Sequence, residues 1–145
     1  MARIALDIDS TLHHYWDLLE RIAQERYGVA LPYAQQSDWG ITALERDQLI
    51  AVVEETHSDE NIENAEPYEG AVEAVRRWHE AGHWIHVTSH RRTSCDPATR
   101  RWLESTGIPY AEQSGWGITA LERDQLIAVV EETHSDENIE NAEPY

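Results

Sequence analysis

The spacing of apolar positions changes several times along the chain, and each change marks an element. Arg3 to Ile8 (Arg-Ile-Ala-Leu-Asp-Ile) is short, aliphatic and followed by a polar turn, which predicts a buried strand. Trp16, Leu19, Ala23 and Tyr27 then recur at helical spacing with Ile22 beside them. They predict a helix from about Leu12 to Tyr27, stopped by Gly28. Thr42-Ala43-Leu44-Glu45 has the form of a capping box and predicts a helix through Leu49, Ile50, Val52 and Val53 to about Thr56. Ser58 is placed to cap a second short helix, which Pro67 would end. Between Gly70 and Gly82, Val72, Val75, Trp78 and His79 form another helical face, and the strand Trp84-Ile85-His86-Val87 follows at once. Asp96-Pro97 opens a further helix through Ala98, Trp102 and Leu103, with Gly107 as its stop.

A strand, then helices, then a helix and a second strand predict a parallel α/β core. Residues 28–66 read as a helical insertion above the first strand. Such folds place ligands at the carboxyl ends of parallel strands, where both polar clusters fall: Asp7/Asp9 and Thr88/Ser89. Two strands make a poor sheet on their own. Extra pairing is therefore expected from residues 108–112, from another subunit, or from further sequence.

The last third of the chain complicates this plan. Residues 109–145 match 32–68 at 35 of 37 positions, and only Gln35/Glu112 and Asp38/Gly115 differ. Stacked repeat architectures need about three units, whereas here two copies are separated by a strand–helix unit. Recent duplication and an artefact of sequence assembly account for the match equally well. The second copy reads as helical text without an apolar strand, so residues after about Tyr110 are expected to fit the core poorly. A true duplicate would show a helix capped at Thr119 and equivalent packing around Trp39 and Trp116.

At 145 residues the chain suits one core with a small appendage. A net charge of −17 argues against a nucleic-acid polymer or an anionic membrane as partner and suits a cation in a carboxylate-lined cleft. All 11 basic residues are arginine, which excludes lysine chemistry. The single cysteine, Cys95, excludes an internal disulfide. No window approaches the ~18 to 20 apolar residues of a membrane span, and Met1-Ala2-Arg3 leads into a strand rather than a signal peptide. The expectation is a soluble, cytoplasmic protein.

The clearest chemical signal is Leu6-Asp7-Ile8-Asp9-Ser10-Thr11, an apolar run ending in two carboxylates one residue apart. A turn beginning near Asp9 lets its carboxylate swing back over the site. Asp is depleted from strands, so the pair is informative, although a capped strand end followed by an Asp/Ser turn is the bland alternative.

Asp7-Ile8-Asp9-Ser10-Thr11 resembles the first motif of the haloacid-dehalogenase-like superfamily of phosphohydrolases. Trp84-Ile85-His86-Val87-Thr88-Ser89-His90-Arg91 resembles its second. The separation and the helical insertion resemble the 5′(3′)-deoxyribonucleotidase-like branch. The resemblance implies a Rossmannoid parallel sheet core, from residues 1–27 and 67–110, with a small helical cap of residues 28–66 inserted after the first strand. It implies Mg²⁺-dependent phosphomonoester hydrolysis through an aspartyl-phosphate, with a small phosphorylated molecule, a nucleotide among the candidates, as substrate. Asp7 would be the nucleophile, and Asp9 the acid that protonates the leaving oxygen and then activates water. Asp7 and Asp9 would hold the metal, Thr88 and Ser89 would bind phosphate, and His90 and Arg91 would line the substrate side.

The family's basic third motif and acidic fourth motif are not found where they are expected, after Tyr110. Arg123, Asp124, Asp136 and Glu137 supply the charges there, but outside a strand-end context. The competing reading is a catalytically incomplete phosphate-binding or protein-interaction module, and a homo-oligomer is compatible with either. His79-Glu80-Ala81-Gly82-His83 matches H-E-x-x-H literally, which makes a zinc hydrolase a remote alternative. Gly82 should end the helix before His83, so the two rings need not converge. His13 and His14 are candidates for substrate contact or for a solvent-facing pair. The run from Glu54 to Glu60 reads as a solvated acidic surface.

Overall fold

A computed structural model describes residues 1–35 and 41–116 of the chain. Its frame is a three-stranded parallel sheet in the order β1-β2-β3. β1 is Arg3–Asp7, β2 is Trp84–Arg92 and β3 is Glu112–Trp116. Ile4 and Leu6 pair in register with Ile85 and Val87, while Asp7 pairs with Thr88. Along β2 burial alternates: Ile85, Val87, Ser89 and Arg91 are buried, and the residues between them are more open. Ile85 and Val87 pack with Ile8, Val75, Ala98, Trp102, Leu103 and Ile108 into the main core. This is the period-2 pattern of a strand with one well-covered face.

α1 spans Tyr15–Tyr27 and ends at Gly28, whose left-handed φ of 67° closes the helix with a bond to the Gln24 carbonyl. It starts three residues later than its periodicity suggests, because residues 8–13 are committed to a turn. α2 runs over Arg46–Thr56 rather than from Thr42. Glu45 is its N-cap, and the Glu45 N–H donates to Gln48 Oε1 at 3.0 Å, so the working box lies one turn later. Leu44 is thereby left outside the helix and buried. With Leu19, Ile22, Ala23, Leu31 and Val52 it makes a second apolar cluster, which α1 and α2 share. α3, Asp59–Glu63, opens as expected on Ser58, whose hydroxyl accepts from the Asn61 N–H.

α4 covers Ala71–Glu80 and α5 covers Asp96–Thr106, the latter with Pro near its start and Gly107 at its end. α3 and α5 are tied by ion pairs from Arg101 to Asp59 and Glu63, and by Trp102 Nε1 donating to the Ala65 carbonyl. β2 is longer than its apolar stretch. It continues through Thr88, Ser89, His90 and Arg91 to Arg92, carrying the polar cluster in extended backbone.

The principal departure is β3. The first residues of the second copy form a parallel strand on β2, with His86, Val87 and Thr88 in register with Glu112, Gln113 and Ser114 and an irregularity before Arg92↔Trp116. No apolar strand was expected there, and the extra pairing expected from residues 108–112 is supplied by Glu112–Trp116. The backbone groups of β2 need partners on that edge, and a chain segment of little apolar character can supply them. Gln113 helps to fix it, accepting from Arg100 and donating to Asp96. The equivalent residues of the first copy do something else: Tyr33–Gln35 form a 3₁₀ turn, while Ala111 donates to the Ile85 carbonyl and Glu112 begins the strand. The helices expected beyond Gly117, and the surroundings of Trp39, lie outside the described residues. Among the described residues no helix is long and apolar enough to cross a membrane.

Candidate active site

Immediately after β1 the chain folds back tightly. The Ile8 carbonyl accepts from the N–H groups of Thr11, Leu12 and His13, and Ser10 takes a left-handed φ of 61°. A non-glycine residue in that region costs of order 1 kcal/mol or more and is held by its surroundings. Here the holding contacts are His14 N–H to the Glu66 carbonyl and Tyr68 N–H to the Leu12 carbonyl. The turn brings Asp9 and His13 onto the end of β2.

There the Asp9 carboxylate meets Arg91. The guanidinium donates from Nε to both carboxylate oxygens at 3.2 and 3.1 Å, and from its terminal nitrogen to Oδ1 at 2.7 Å. Its other terminal nitrogen donates to Thr99 Oγ1 at 3.1 Å. His13 Nε2 lies 2.8 Å from Asp9 Oδ1 and 3.0 Å from the Arg91 guanidinium. One ring nitrogen cannot both donate to the carboxylate and accept from the arginine. The carboxylate is the stronger acceptor, so we place the proton on Nε2 and the hydrogen bond to Asp9. Ser89 Oγ, 3.5 Å from Asp9 Oδ2, also accepts from the Arg91 N–H.

The two carboxyls are split in opposite directions. Burial and the neighbouring Asp9 charge push Asp7 above its ordinary value, against a backbone hydrogen bond at Ile8 and the charges of His90 and Arg91. Burial works against the Asp9 anion too, but hydrogen bonds and charge from His13 and Arg91 outweigh it and hold this carboxyl well below the usual range. A carboxylate held ionised in this way is poorly placed to deliver a proton at neutral pH, the duty implied for it by motif alone. Arg91, expected on the substrate side, has a side chain only 2% exposed and serves Asp9.

Asp7 and Thr88 are Cα partners at the carboxyl ends of adjacent parallel strands. Paired residues share a sheet face, and His90 lies on that face two residues beyond Thr88. Asp7, Thr88 and His90 thus form one group, and Asp9, His13, Ser89 and Arg91 another.

A third contributor was read from sequence as part of a solvated acidic surface. His57, at the end of α2, places Nε2 4.0 Å from Asp9 Oδ2. Its ring stacks on Tyr15, with centroids 5.8 Å apart, and Tyr15 also meets His13 edge-on at 6.1 Å. Burial lowers the His57 pKa; Asp9 opposes this, while Arg91, Arg92 and His13 add to it, which favours the neutral ring. No local signal marks His57, because helix packing distant in sequence brings it to the turn. His14 stacks against Tyr68 at 4.0 Å and bonds Asp17. A cavity of about 450 Å³ beside it is lined by His13, His14, Asp17, Arg21, Asn61 and Asn64 among others, and shares only His13 with the groups above.

Asp9's side chain is engaged by Arg91 and His13, and no group of three or more His, Cys, Asp or Glu among the described residues is placed to hold a metal ion. The zinc alternative fails on geometry. His79 and Glu80 end α4, while His83 lies beyond it, with Nδ1 accepting from the Ala2 N–H at 3.0 Å.

No family model matches the chain, and no curated protein matches it. Among solved structures, the class C acid phosphatase from Bacillus anthracis with tungstate bound is similar at a TM-score of 0.53 and 20% identity, over 92% of this chain and 48% of that one. The chain therefore spans about half the length of that phosphatase. A structural-genomics target from Vibrio cholerae aligns at a TM-score of 0.44 and 16% identity, over 82% of this chain and 72% of that one. The former likeness shows the fold alone: an α/β core built on a parallel sheet.

Proposed function

We propose that this chain is a phosphomonoester hydrolase of the haloacid-dehalogenase-like type. The observation that carries the reading is the register of Asp7 with Thr88 at the carboxyl ends of two adjacent parallel strands. Asp7 attacks phosphorus, and its raised pKa marks a carboxylate less stabilised as an anion than a solvated one. The Thr88 hydroxyl, on the same face, donates to a phosphoryl oxygen. Asp9, locked by Arg91 and His13, fixes a negative charge beside the nucleophile and orients hydroxyl groups rather than storing a proton. The acid phosphatase likeness supports this class of reaction; a nucleotide is the substrate we propose to test first. No step here is assigned to a metal ion.

The second reading, a phosphate-binding module without turnover, is favoured by the engagement of the Asp9 carboxylate in its ion pair with Arg91. Release of phosphate from p-nitrophenyl phosphate and from a panel of nucleoside monophosphates, with Mg²⁺ and with chelator, separates the two. The enzyme reading requires turnover that Asp7→Asn abolishes. An inert wild-type protein of verified mass that still binds phosphate would establish the module instead.

A further inference from the structure

His57 is the one group at this site whose hydrogen-bonding atom is left waiting. Its Nε2 is buried and has no hydrogen-bond partner among the described residues. A buried unsatisfied donor of this kind costs about 1–3 kcal/mol, which a bound group can return. The ring has little freedom to turn away. The His57 N–H bonds the Val53 carbonyl, its own carbonyl accepts from Cys95 Sγ at 3.7 Å, and its face is stacked on Tyr15. What it faces is Asp9 Oδ2, at 4.0 Å.

That separation is too long for a hydrogen bond and has the right size for a shared oxygen. An oxygen roughly 2.8 Å from both atoms would subtend an angle of about 90°, within the range a water accepts. The two sides are complementary. Asp9 Oδ2 is an acceptor, and the carboxylate opposite favours the tautomer with the proton on His57 Nε2, a donor. A phosphoryl oxygen, which can only accept, is repelled by Asp9. A hydroxyl oxygen can satisfy both.

Resting on the phosphatase reading above, we propose that His57 Nε2 and Asp9 Oδ2 together hold the water that hydrolyses the Asp7 phosphoryl intermediate, which makes His57 a contact to the reacting atoms. The water donates one hydrogen to Asp9, accepts from His57 and keeps a lone pair for phosphorus. Its oxygen forms the new P–O bond. The bond from phosphorus to the Asp7 oxygen breaks with its electron pair returning to the carboxylate. The water proton passes to a phosphoryl oxygen, so the dianionic phosphoryl group and water leave as dihydrogen phosphate and no outside acid or base is consumed.

The test compares His57→Leu, which keeps packing volume on Tyr15 but loses the donor, with His57→Gln, whose amide can place a donor near the position of Nε2. With p-nitrophenyl phosphate, His57→Leu should lower kcat about 10- to 100-fold. Because only the second half-reaction is slowed, a pre-steady-state burst of p-nitrophenol should appear, and a chain carrying one phosphoryl group should accumulate in the intact-mass spectrum. His57→Gln should restore most of the rate and suppress the burst. An unchanged kcat in His57→Leu, a loss of rate without burst or phosphoenzyme, or equal losses in both variants would overturn the assignment while leaving the phosphatase reading standing. A wild-type protein without turnover would overturn both.

Discussion

Replacing Arg91 with Met should destabilise this protein more than any other single change at the site. The substitution keeps an unbranched apolar side chain in the core but removes four donor contacts: three to Asp9 and one to Thr99. Asp9 is then left as a largely buried anion with His13 as its remaining strong partner, the two side chains being 16% and 2% exposed. Breaking one side of a buried pair costs roughly 3–5 kcal/mol, and relief from His13 places the expectation near the lower end, about 3–4 kcal/mol. With a urea m-value of about 2 kcal/mol/M for a chain of this size, the unfolding midpoint should fall by roughly 1.5–2 M at pH 7.

The sign with pH follows from the same pair. Asp9 is depressed in the folded protein relative to its ordinary 3.8, so its contribution is fully present above that value and is lost as pH falls toward the folded pKa. Without Arg91 the buried carboxyl shifts upward and protonates, so the gap between variant and wild type should narrow below about pH 5. The double replacement Asp9→Leu/Arg91→Met should recover much of the loss, since removing both charges leaves none unpaired. A single-variant cost below about 1 kcal/mol, or a double variant as unstable as the single, would refute the view that this pair organises the strand end.

Asp7→Asn should reduce phosphate release at least about a thousandfold, as loss of a covalent nucleophile does elsewhere. It should also raise the thermal midpoint at pH 7. A raised folded pKa means that ionised Asp7 opposes folding above its ordinary 3.8, most fully once pH exceeds the folded value; differential scanning fluorimetry across pH 4–8 checks this. For the same reason the acid limb of the kcat/KM profile should lie above 3.8, and a limb at or below that value would contradict the raised pKa. Trp102→Ala should cost about 3–5 kcal/mol by denaturant titration, since the indole is 1% exposed and bonds the Ala65 carbonyl.

The two core strands and the place of Asp7 and Thr88 at their carboxyl ends were legible because an apolar run that stops at a polar residue also stops at the edge of the sheet. The start of α2 was misplaced because two box-like sequences overlap, Thr42 to Glu45 and Glu45 to Gln48, and burial of Leu44 selects the second. Arg91 was found by position but not by role. A sequence shows that an arginine follows the strand; only the alternation of β2 shows that it points inward to a carboxylate. His57 was invisible and β3 was foreseen only as extra pairing near residues 108–112, because each is placed by what lies across from it, a ring stack in one case and an open strand edge in the other.

The two copies of the repeat set up a contest that the chain must win every time it folds. Tyr33-Ala34 and Tyr110-Ala111 lie in near-identical stretches, and among the described residues it is the second that supplies the strand closing on β2. Both differences between the copies, Gln35/Glu112 and Asp38/Gly115, fall within β3, so local preference contributes to the choice and tethering adds to it. From Arg92 to Glu112 is 20 residues, and from Gln35 to Trp84 is 49. Loop-closure entropy favours the nearer copy by roughly 0.8 kcal/mol, a bias of only a few-fold. Early in refolding a substantial minority of molecules should therefore dock the wrong copy and have to release it. Such decoy pairing produces a slow phase independent of proline isomerisation, and across two chains it produces strand exchange at high concentration.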